Sequence, residues 1–193
     1  MSERKESDEE RMFEQWCKEA IKHGLLQHFV KQPKPFDLTP AQFVFVDKQL
    51  KTKVTTVKRS VCRAHIYTAD FCLMMTPLGM ELLKGVFQNT HILGFPDDLL
   101  WVDTKGGFMS RGTGQEFAIN QKLVYDKYEI WVSKVVPFIS QYNKKGEHNP
   151  SKCLFVKTWC PEQYRWISGR KRPTMTKKGQ QCPTVGEFIS AYR

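Results

Sequence analysis

The sequence predicts a mixed α/β domain, because patterns typical of a helix, several strands, a second helix and a further strand follow one another along the chain. The 193 residues are 40% hydrophobic and 26% charged. That balance is typical of one soluble domain, and a chain of this length can bury a core without disulfides or metal ions. Apolar residues recur at helical spacing at about 7–23 and 115–128, whereas shorter apolar runs lie between and after these stretches.

The first helix is expected from about Ser7 to His23, with Gly24 ending the pattern. Ser7 and Glu10 form an S-x-x-E capping box, in which the Ser7 hydroxyl accepts from the Glu10 amide and Glu10 can reach back. The apolar face consists of Met12, Phe13, Trp16, Cys17, Ala20 and Ile21.

The middle of the chain is typical of strands. Residues 41–46 and 53–61 are expected to pair around a polar turn, and 63–75 are expected to form a further strand. A short helix is expected within 77–87, before Pro96. Residues 99–105 form an apolar strand that leads into two glycines, which indicate a sharp exit.

The second half of the chain begins with the helix at 115–128. Strands are expected at 131–139 and 153–159, separated by a polar loop, and a last short helix at about 184–192. The core-facing residues of the helix at 115–128 are expected to be Phe117, Leu123 and Val124.

The chain is strongly basic, with a net charge of +10. Between residues 152 and 193 there are nine lysines or arginines and two glutamates, whereas acids outnumber bases in the first twenty residues. Such a surface favours a polyanion, most commonly nucleic acid, although a merely soluble basic protein is the alternative.

No apolar run is long enough to span a bilayer, and the charged start lacks the apolar region of a signal peptide. We therefore expect a cytoplasmic protein without a membrane partner.

The strand at 99–105 carries the first candidate chemical group. Strand alternation places Trp101, Asp103 and Lys105 on one face, so the carboxylate and the ammonium project side by side. Metal-assisted phosphodiester hydrolysis needs this pair, because the acid holds a divalent ion and the amine positions or activates water. A surface ion pair at a strand end is the alternative.

Two further acids are candidates. Asp70 interrupts an apolar strand between Ala69 and Phe71, where burying its charge is costly without a cation or hydrogen bonds. A metal would offset that cost, and so would capping by backbone amides. On the first helix, the helical wheel places either Glu9 or Glu10 towards the sheet, while pure capping also accounts for Glu10.

Three motifs in order resemble one known family. Ser7-x-x-Glu10, Tyr67-Thr-Ala-Asp70-Phe and Val102-Asp103-Thr-Lys105-Gly are similar to the S-x-x-E, Y-T-x-D-F and V-E-T-K-G series of phage endonuclease I type Holliday-junction resolvases, in the PD-(D/E)xK nuclease superfamily. The resemblance covers about residues 7–136, and the stretch 32–36 is similar to a Q-P-x-F segment of related phage nucleases.

The resemblance implies an active site of Glu10, Asp70, Asp103 and Lys105. The acids would bind one or two Mg²⁺ or Mn²⁺ ions, with the backbone carbonyl of Thr104 as a further ligand. The sequence departs from the family in carrying Asp103 where Glu is more usual, in Ala69 where proline is expected, and in a longer stretch between Asp70 and Asp103.

The resemblance also implies a restriction-endonuclease-like core, a central mixed β-sheet flanked by helices. That core would occupy residues 1–150, with an insertion at about 74–98. Residues 151–193 would form a basic extension packed on the core or continuing it.

Several basic residues are candidates for binding DNA. Arg111 lies in a glycine-rich stretch after the catalytic strand, which we expect to be a loop where backbone approaches a phosphate. Lys122, beside Gln121 on the next helix, lies where the superfamily often presents a polar or basic group. The remaining candidates, for contacts outside the active site, are Arg170, Lys171, Arg172, Lys177 and Lys178.

Three functions remain open. The first is a metal-dependent, structure-selective DNA endonuclease, a phage junction resolvase acting in recombination as a homodimer, because two symmetric cuts call for two active sites. The second is a sequence-specific nuclease of the same superfamily, of restriction or transposon-end type. The third is a non-catalytic DNA-binding module, disfavoured because all four chemical positions hold competent residues.

Overall fold

A four-stranded mixed sheet forms the centre of the chain in the computed structural model, which describes residues 6–106, 111–138, 153–165 and 183–192. Its strands, in spatial order, are β1 (Leu26–Lys31), β6 (Phe71–Met75), β7 (Leu99–Thr104) and β8 (Val132–Val135). Neighbours are antiparallel from β1 to β7, and β8 is parallel to β7. The expectation of a mixed α/β fold is therefore confirmed.

Helix α1 (Asp8–Lys22) begins where the sequence predicted. The Ser7 hydroxyl accepts a hydrogen bond from the Glu10 amide at 3.2 Å, which satisfies one of the amide groups that the first turn leaves without a helical partner. Three acids in the first turn complement the positive end of the helix dipole. The helix buries Phe13, Trp16, Cys17 and Ala20 against the sheet.

One face of the sheet packs against α1 and the C-terminal elements. The Trp16 ring stacks on Trp159 at 4.6 Å between centroids, and the Trp16 indole donates to the Thr158 hydroxyl at 3.0 Å. Val185 and Phe188 belong to the same buried cluster. Residues from the far end of the chain thus complete the core that α1 begins. The C-terminal elements are α5 (Leu154–Lys157), α6 (Glu162–Arg165) and α7 (Val185–Ser190).

The opposite face packs against α4 (Arg111–Tyr128). Phe117 and Val124 are buried there, as the sequence predicted, and the partly buried Leu123 and Trp101 pack against them. Because Trp101 and Val102 are neighbours on one strand yet belong to different clusters, alternation along β7 divides the core into two layers.

The chain between β1 and β6 forms two small sheets. Strands β2 (Phe36–Thr39) and β5 (His65–Tyr67) pair antiparallel and lie against α4. Along the chain between β2 and β5, strands β3 (Gln42–Gln49) and β4 (Val54–Cys62) form a long antiparallel hairpin. The expected pairing around a polar turn is confirmed, and β3 extends three residues further than expected.

Between β6 and β7 the chain forms two short helices and a helical turn. These are α2 (Pro77–Leu83), which was expected, α3 (Thr90–Leu93), and a 3₁₀ turn at Pro96–Asp98. Thr76 caps α2, because its side chain accepts from the Gly79 amide. None of the helices within the described ranges is long and apolar enough to cross a membrane.

Two strand predictions were wrong. The stretch 63–75 is not one strand, because it breaks at 68–70 and its halves, β5 and β6, join different sheets. The stretch 153–159 contains the helical turn α5, closed by the Thr158 hydroxyl donating to the Leu154 carbonyl at 2.8 Å. A short apolar run fits a buried helix as well as a strand, so its periodicity could not decide.

The predicted glycine-rich loop around Arg111 was also wrong within the described residues. Helix α4 begins at Arg111, four residues earlier than expected, so Gly112 and Gly114 lie in its first turn. The end of a helix tolerates glycine better than the middle, because fewer helical hydrogen bonds depend on those residues.

Candidate active site

Asp70 is attached to the end of the central strand β7 by two hydrogen bonds. Its Oδ2 atom accepts from the Thr104 amide and from the Thr104 hydroxyl, each at 2.8 Å. The antiparallel register that pairs Phe71 with Val102 brings Asp70, one residue before β6, to this position. Asp70 is only 5% exposed, and these two hydrogen bonds offset part of the free-energy cost of burying its carboxylate.

Asp103 is the second buried carboxylate, at 3% exposure. Its Oδ2 atom accepts from the Tyr67 hydroxyl at 2.6 Å, and its Oδ1 atom forms an ion pair with Lys105 Nζ. The expectation that Asp103 and Lys105 project side by side is confirmed. Tyr67 comes from β5, so a strand outside the central sheet holds the carboxylate in place.

The surroundings of Asp103 act on its pKa in opposite directions. Burial raises the pKa of Asp103, and the nearby charge of Asp70 raises it further, while Lys105 and Tyr67 act in the opposite direction. Burial also raises the pKa of Tyr67 well above its usual range, so its hydroxyl remains protonated and can donate to Asp103.

Lys105 lies at the boundary between the core and solvent. Its side chain is about one quarter exposed (26%), and its ammonium lies 5.6 Å from the centre of the Phe117 ring on α4. Its amide donates to the Val135 carbonyl at 2.8 Å, which continues the pairing of β7 with β8 by one residue. A molecule at the end of β7 could therefore reach the amine without disturbing the sheet.

The first turn of α1 approaches the same end of β7. Glu10 is buried at 8% exposure, whereas Glu9 is only partly buried. A side chain built on Gly106 would meet the Glu9 carboxylate oxygen at 2.9 Å. Both acids that the helical wheel left open thus belong to the turn nearest the site, and Glu10 is the one enclosed by protein.

Of the predicted DNA-binding residues, Lys122 is the one whose side chain lies in the described part of the chain. Lys122 is exposed on α4. Gln121, its neighbour, is buried and donates to the Val132 carbonyl at 2.6 Å, so it attaches α4 to β8. Arg111 begins α4, and its side chain lies outside the described part. The following also lie outside it: Arg170, Lys171, Arg172, Lys177 and Lys178.

The donor set fits Mg²⁺ or Mn²⁺ better than zinc. Among the described residues, no three His, Cys, Asp or Glu side chains converge as a complete metal site. Mg²⁺ usually takes only one or two carboxylates and fills its remaining positions with water and substrate phosphate oxygens. Asp70 and Asp103 supply that number of carboxylates, and the Thr104 amide donates to Asp70.

Two contributions were not found from the sequence. Tyr67 was noticed only as part of a motif, and its hydrogen bond to Asp103 depends on how β5 packs against the sheet. Thr104 was assigned a backbone role, whereas its hydroxyl also donates to Asp70. Strand alternation indicated only that the Thr104 side chain lies on the opposite face of β7 from Asp103, and it did not identify Asp70 as the partner of the Thr104 hydroxyl.

Comparison with known proteins adds no family assignment: no protein-family model, curated protein or solved structure matches the chain.

Proposed function

We propose that this protein is a metal-dependent endonuclease that hydrolyses phosphodiester bonds in branched DNA, on a restriction-endonuclease-like core. One observation carries the proposal: Asp70, 33 positions before Asp103, is hydrogen-bonded to Thr104, the residue next to Asp103, and Asp103 is ion-paired with the amine of Lys105. The mixed sheet, with α1 on one face and α4 on the other, supports the proposed core.

The two acids would hold Mg²⁺ or Mn²⁺, with Glu10 and the Thr104 carbonyl as the further ligands that the family resemblance implies. A bound divalent ion supplies Lewis-acid stabilisation of the charge that develops on the phosphate. Without it, both carboxylates repel a phosphate, and the charge of Asp70 adds to burial in raising the pKa of Asp103.

The chain's own residues would provide positioning and proton handling. The Tyr67 hydroxyl fixes the orientation of the Asp103 carboxylate, and the Thr104 amide and hydroxyl fix that of Asp70. Lys105 would orient the attacking water, because its ammonium lies beside the acid and remains partly accessible, and only in its neutral amine form would it accept a proton from that water.

DNA as the substrate is supported by the net charge of +10. The phosphate backbone accounts for much of the affinity of such proteins. Branched DNA and a homodimer are proposed from the family resemblance, since resolving a four-way junction takes two symmetric cuts. A sequence-specific nuclease is the alternative within the same chemistry.

The test is cleavage of matched four-way-junction, nicked and linear duplex DNA with Mg²⁺ and with EDTA. Asp70→Asn and Asp103→Asn should each abolish cleavage while leaving DNA binding intact or tighter, because a negative charge beside the phosphate is removed. Lys105→Ala should slow cleavage at least about a hundredfold. Asp126→Asn, on the exposed face of α4, is the matched control and should cut normally.

Three outcomes would count against the proposal in different ways. Near wild-type cleavage by either Asp→Asn variant would mean that the assigned centre is wrong. Cutting of linear duplex at a fixed sequence would favour the sequence-specific nuclease. Tight binding with no Mg²⁺-dependent cleavage of any substrate would favour the non-catalytic DNA-binding module.

A further inference from the structure

The hairpin formed by β3 and β4, residues 42–62, is here named the ribbon. It lies in the connection between β1 and β6, and it belongs to neither buried cluster of the described residues. No side chain of either strand is fully buried. A two-stranded ribbon with both faces in water is marginally stable by itself. The exposed faces of the ribbon therefore indicate that it binds a partner.

The ribbon exposes an unusual amount of apolar surface. Phe45 is 72% exposed and Phe43 46%. The pairing of Phe45 with Lys58 places the two phenylalanines and this lysine on one face, where the lysine ammonium lies 3.9 Å from the centre of the Phe43 ring. Valines are exposed on both strands: Val44, Val46, Val54 and Val61. Exposed apolar patches of this kind mark interaction surfaces.

The charge of the ribbon indicates the class of partner. It contains five basic residues and one acid, Asp47, whose carboxylate accepts from the Thr56 hydroxyl at 2.7 Å. The basic residues are Lys48, Lys51, Lys53, Lys58 and Arg59. A second ribbon would carry the same charge, so direct pairing of two ribbons is opposed by repulsion, whereas a polyanion is complementary to it.

The shape of the ribbon also suits DNA. The major groove of B-DNA is about 12 Å wide and admits a two-stranded β-ribbon. An eight-residue strand such as β3 spans roughly 27 Å at about 3.4 Å per residue, so the ribbon can follow a duplex beyond the core. Phenylalanine makes apolar contacts with thymine methyl groups and stacks on unpaired bases.

We propose that the ribbon is a DNA-binding arm, which lies in the groove of a duplex next to the candidate active site. Phe43 and Phe45 contact the bases. Lys58, on the same face, and the long side chains of Lys48 and Arg59, on the opposite face, contact the phosphates at the edges of the groove. The inference deepens the proposed function and rests on it for the identity of the polyanion as DNA.

The test compares two triple variants that remove equal charge. The ribbon variant is Lys48→Gln, Lys58→Gln and Arg59→Gln, and the control is Lys22→Gln, Lys34→Gln and Lys84→Gln, at exposed sites elsewhere. Binding to a fluorescein-labelled 30-base-pair duplex and to a four-way junction with the same arms is followed by anisotropy in EDTA over a range of KCl. EDTA removes the divalent ion, so binding is measured without cleavage.

The ribbon variant should bind both DNAs at least about tenfold more weakly near 0.15 M salt. The slope of log K against log salt should become shallower by about 2.7, since each lost phosphate contact contributes about 0.9. The control should change affinity less than about threefold. Equal losses in the two variants, or no loss in the ribbon variant, would overturn the proposal.

A second variant, Phe43→Ser with Phe45→Ser, separates DNA from a protein partner. It should weaken DNA binding about tenfold without changing the salt slope, because no charge is removed. The thermal midpoint should stay unchanged, because neither ring belongs to the core. Unchanged DNA affinity together with a shift in oligomeric state by light scattering would make the ribbon a protein interface and refute the proposal.

The two proposals fail in different experiments. If the wild-type protein cuts no substrate and the ribbon variants lose DNA affinity, the DNA-binding arm is supported and the nuclease is excluded. If Asp103→Asn stops cleavage and the ribbon variants bind DNA normally, the nuclease is supported and the DNA-binding arm is excluded.

Discussion

Tyr67→Phe tests whether the Tyr67 hydroxyl positions the Asp103 carboxylate. The substitution removes one oxygen and preserves the ring, which is buried near Phe36. It leaves Asp103 Oδ2 without the donor that now lies 2.6 Å away. No other contact of the site needs to change, so the effect of the variant can be attributed to this hydrogen bond.

The expected magnitude follows from the type of bond. Buried hydrogen bonds to charged groups contribute about 1.5–3 kcal/mol, and the carboxylate that remains is desolvated. In a domain of this size, such a loss lowers the thermal midpoint by about 3–12 °C. If Asp103 holds the catalytic ion, loss of a residue that orients a ligand should slow cleavage about 10–100-fold.

Tyr128→Phe is the matched control. Its hydroxyl donates to the Asp37 carbonyl at 2.9 Å, but the bond is exposed and involves neither Asp70 nor Asp103. We expect a change below about 1 kcal/mol and normal cleavage. Thermal melts and single-turnover cleavage of a labelled junction measure both quantities. Tyr67→Phe that melts and cuts like wild type would refute the positioning role. A lower melting temperature with an unchanged cleavage rate would leave Tyr67 a purely structural partner.

Three further predictions concern other parts of the molecule. Glu10→Gln should change stability by less than about 1 kcal/mol yet abolish cleavage, whereas Glu9→Gln should be nearly silent; the reverse result would place the family position one residue earlier. Glu14→Gln should cut normally and lose at most about 1 kcal/mol at pH 7, because Glu14 pairs with Lys18 and Lys31, whose side chains are exposed. Those partners lower the pKa of Glu14, so the contribution of Glu14 to the free energy of unfolding is fully present above its ordinary pKa of 4.5 and is lost as the pH falls through the lowered value. Denaturation at progressively lower pH should therefore show a shrinking difference between variant and wild type, and a constant difference would contradict this. Trp159→Ala should destabilise by about 3–5 kcal/mol in urea denaturation, and a change below about 1 kcal/mol would mean that the stack on α1 contributes little.

The sequence alone determined the features that depend on neighbours along the chain. Helix α1 and its Ser7 cap followed from helical periodicity and a local hydrogen bond. The adjacency of Asp103 and Lys105 followed from strand alternation, because residues two apart on a strand share a face. The hairpin of β3 and β4 was visible from its β-branched residues around a polar turn.

Only the tertiary structure decided which distant residues meet. The approach of Asp70 to Thr104 depends on the register of β6 against β7, and register is a property of two segments together. The break between β5 and β6 and the helical turn at Leu154 likewise depend on which surfaces are available for burial. The exposure of the ribbon also depends on which surfaces of the folded molecule are available for burial. Its alternating pattern predicts a strand, but a pattern cannot show that no core lies on either side of it.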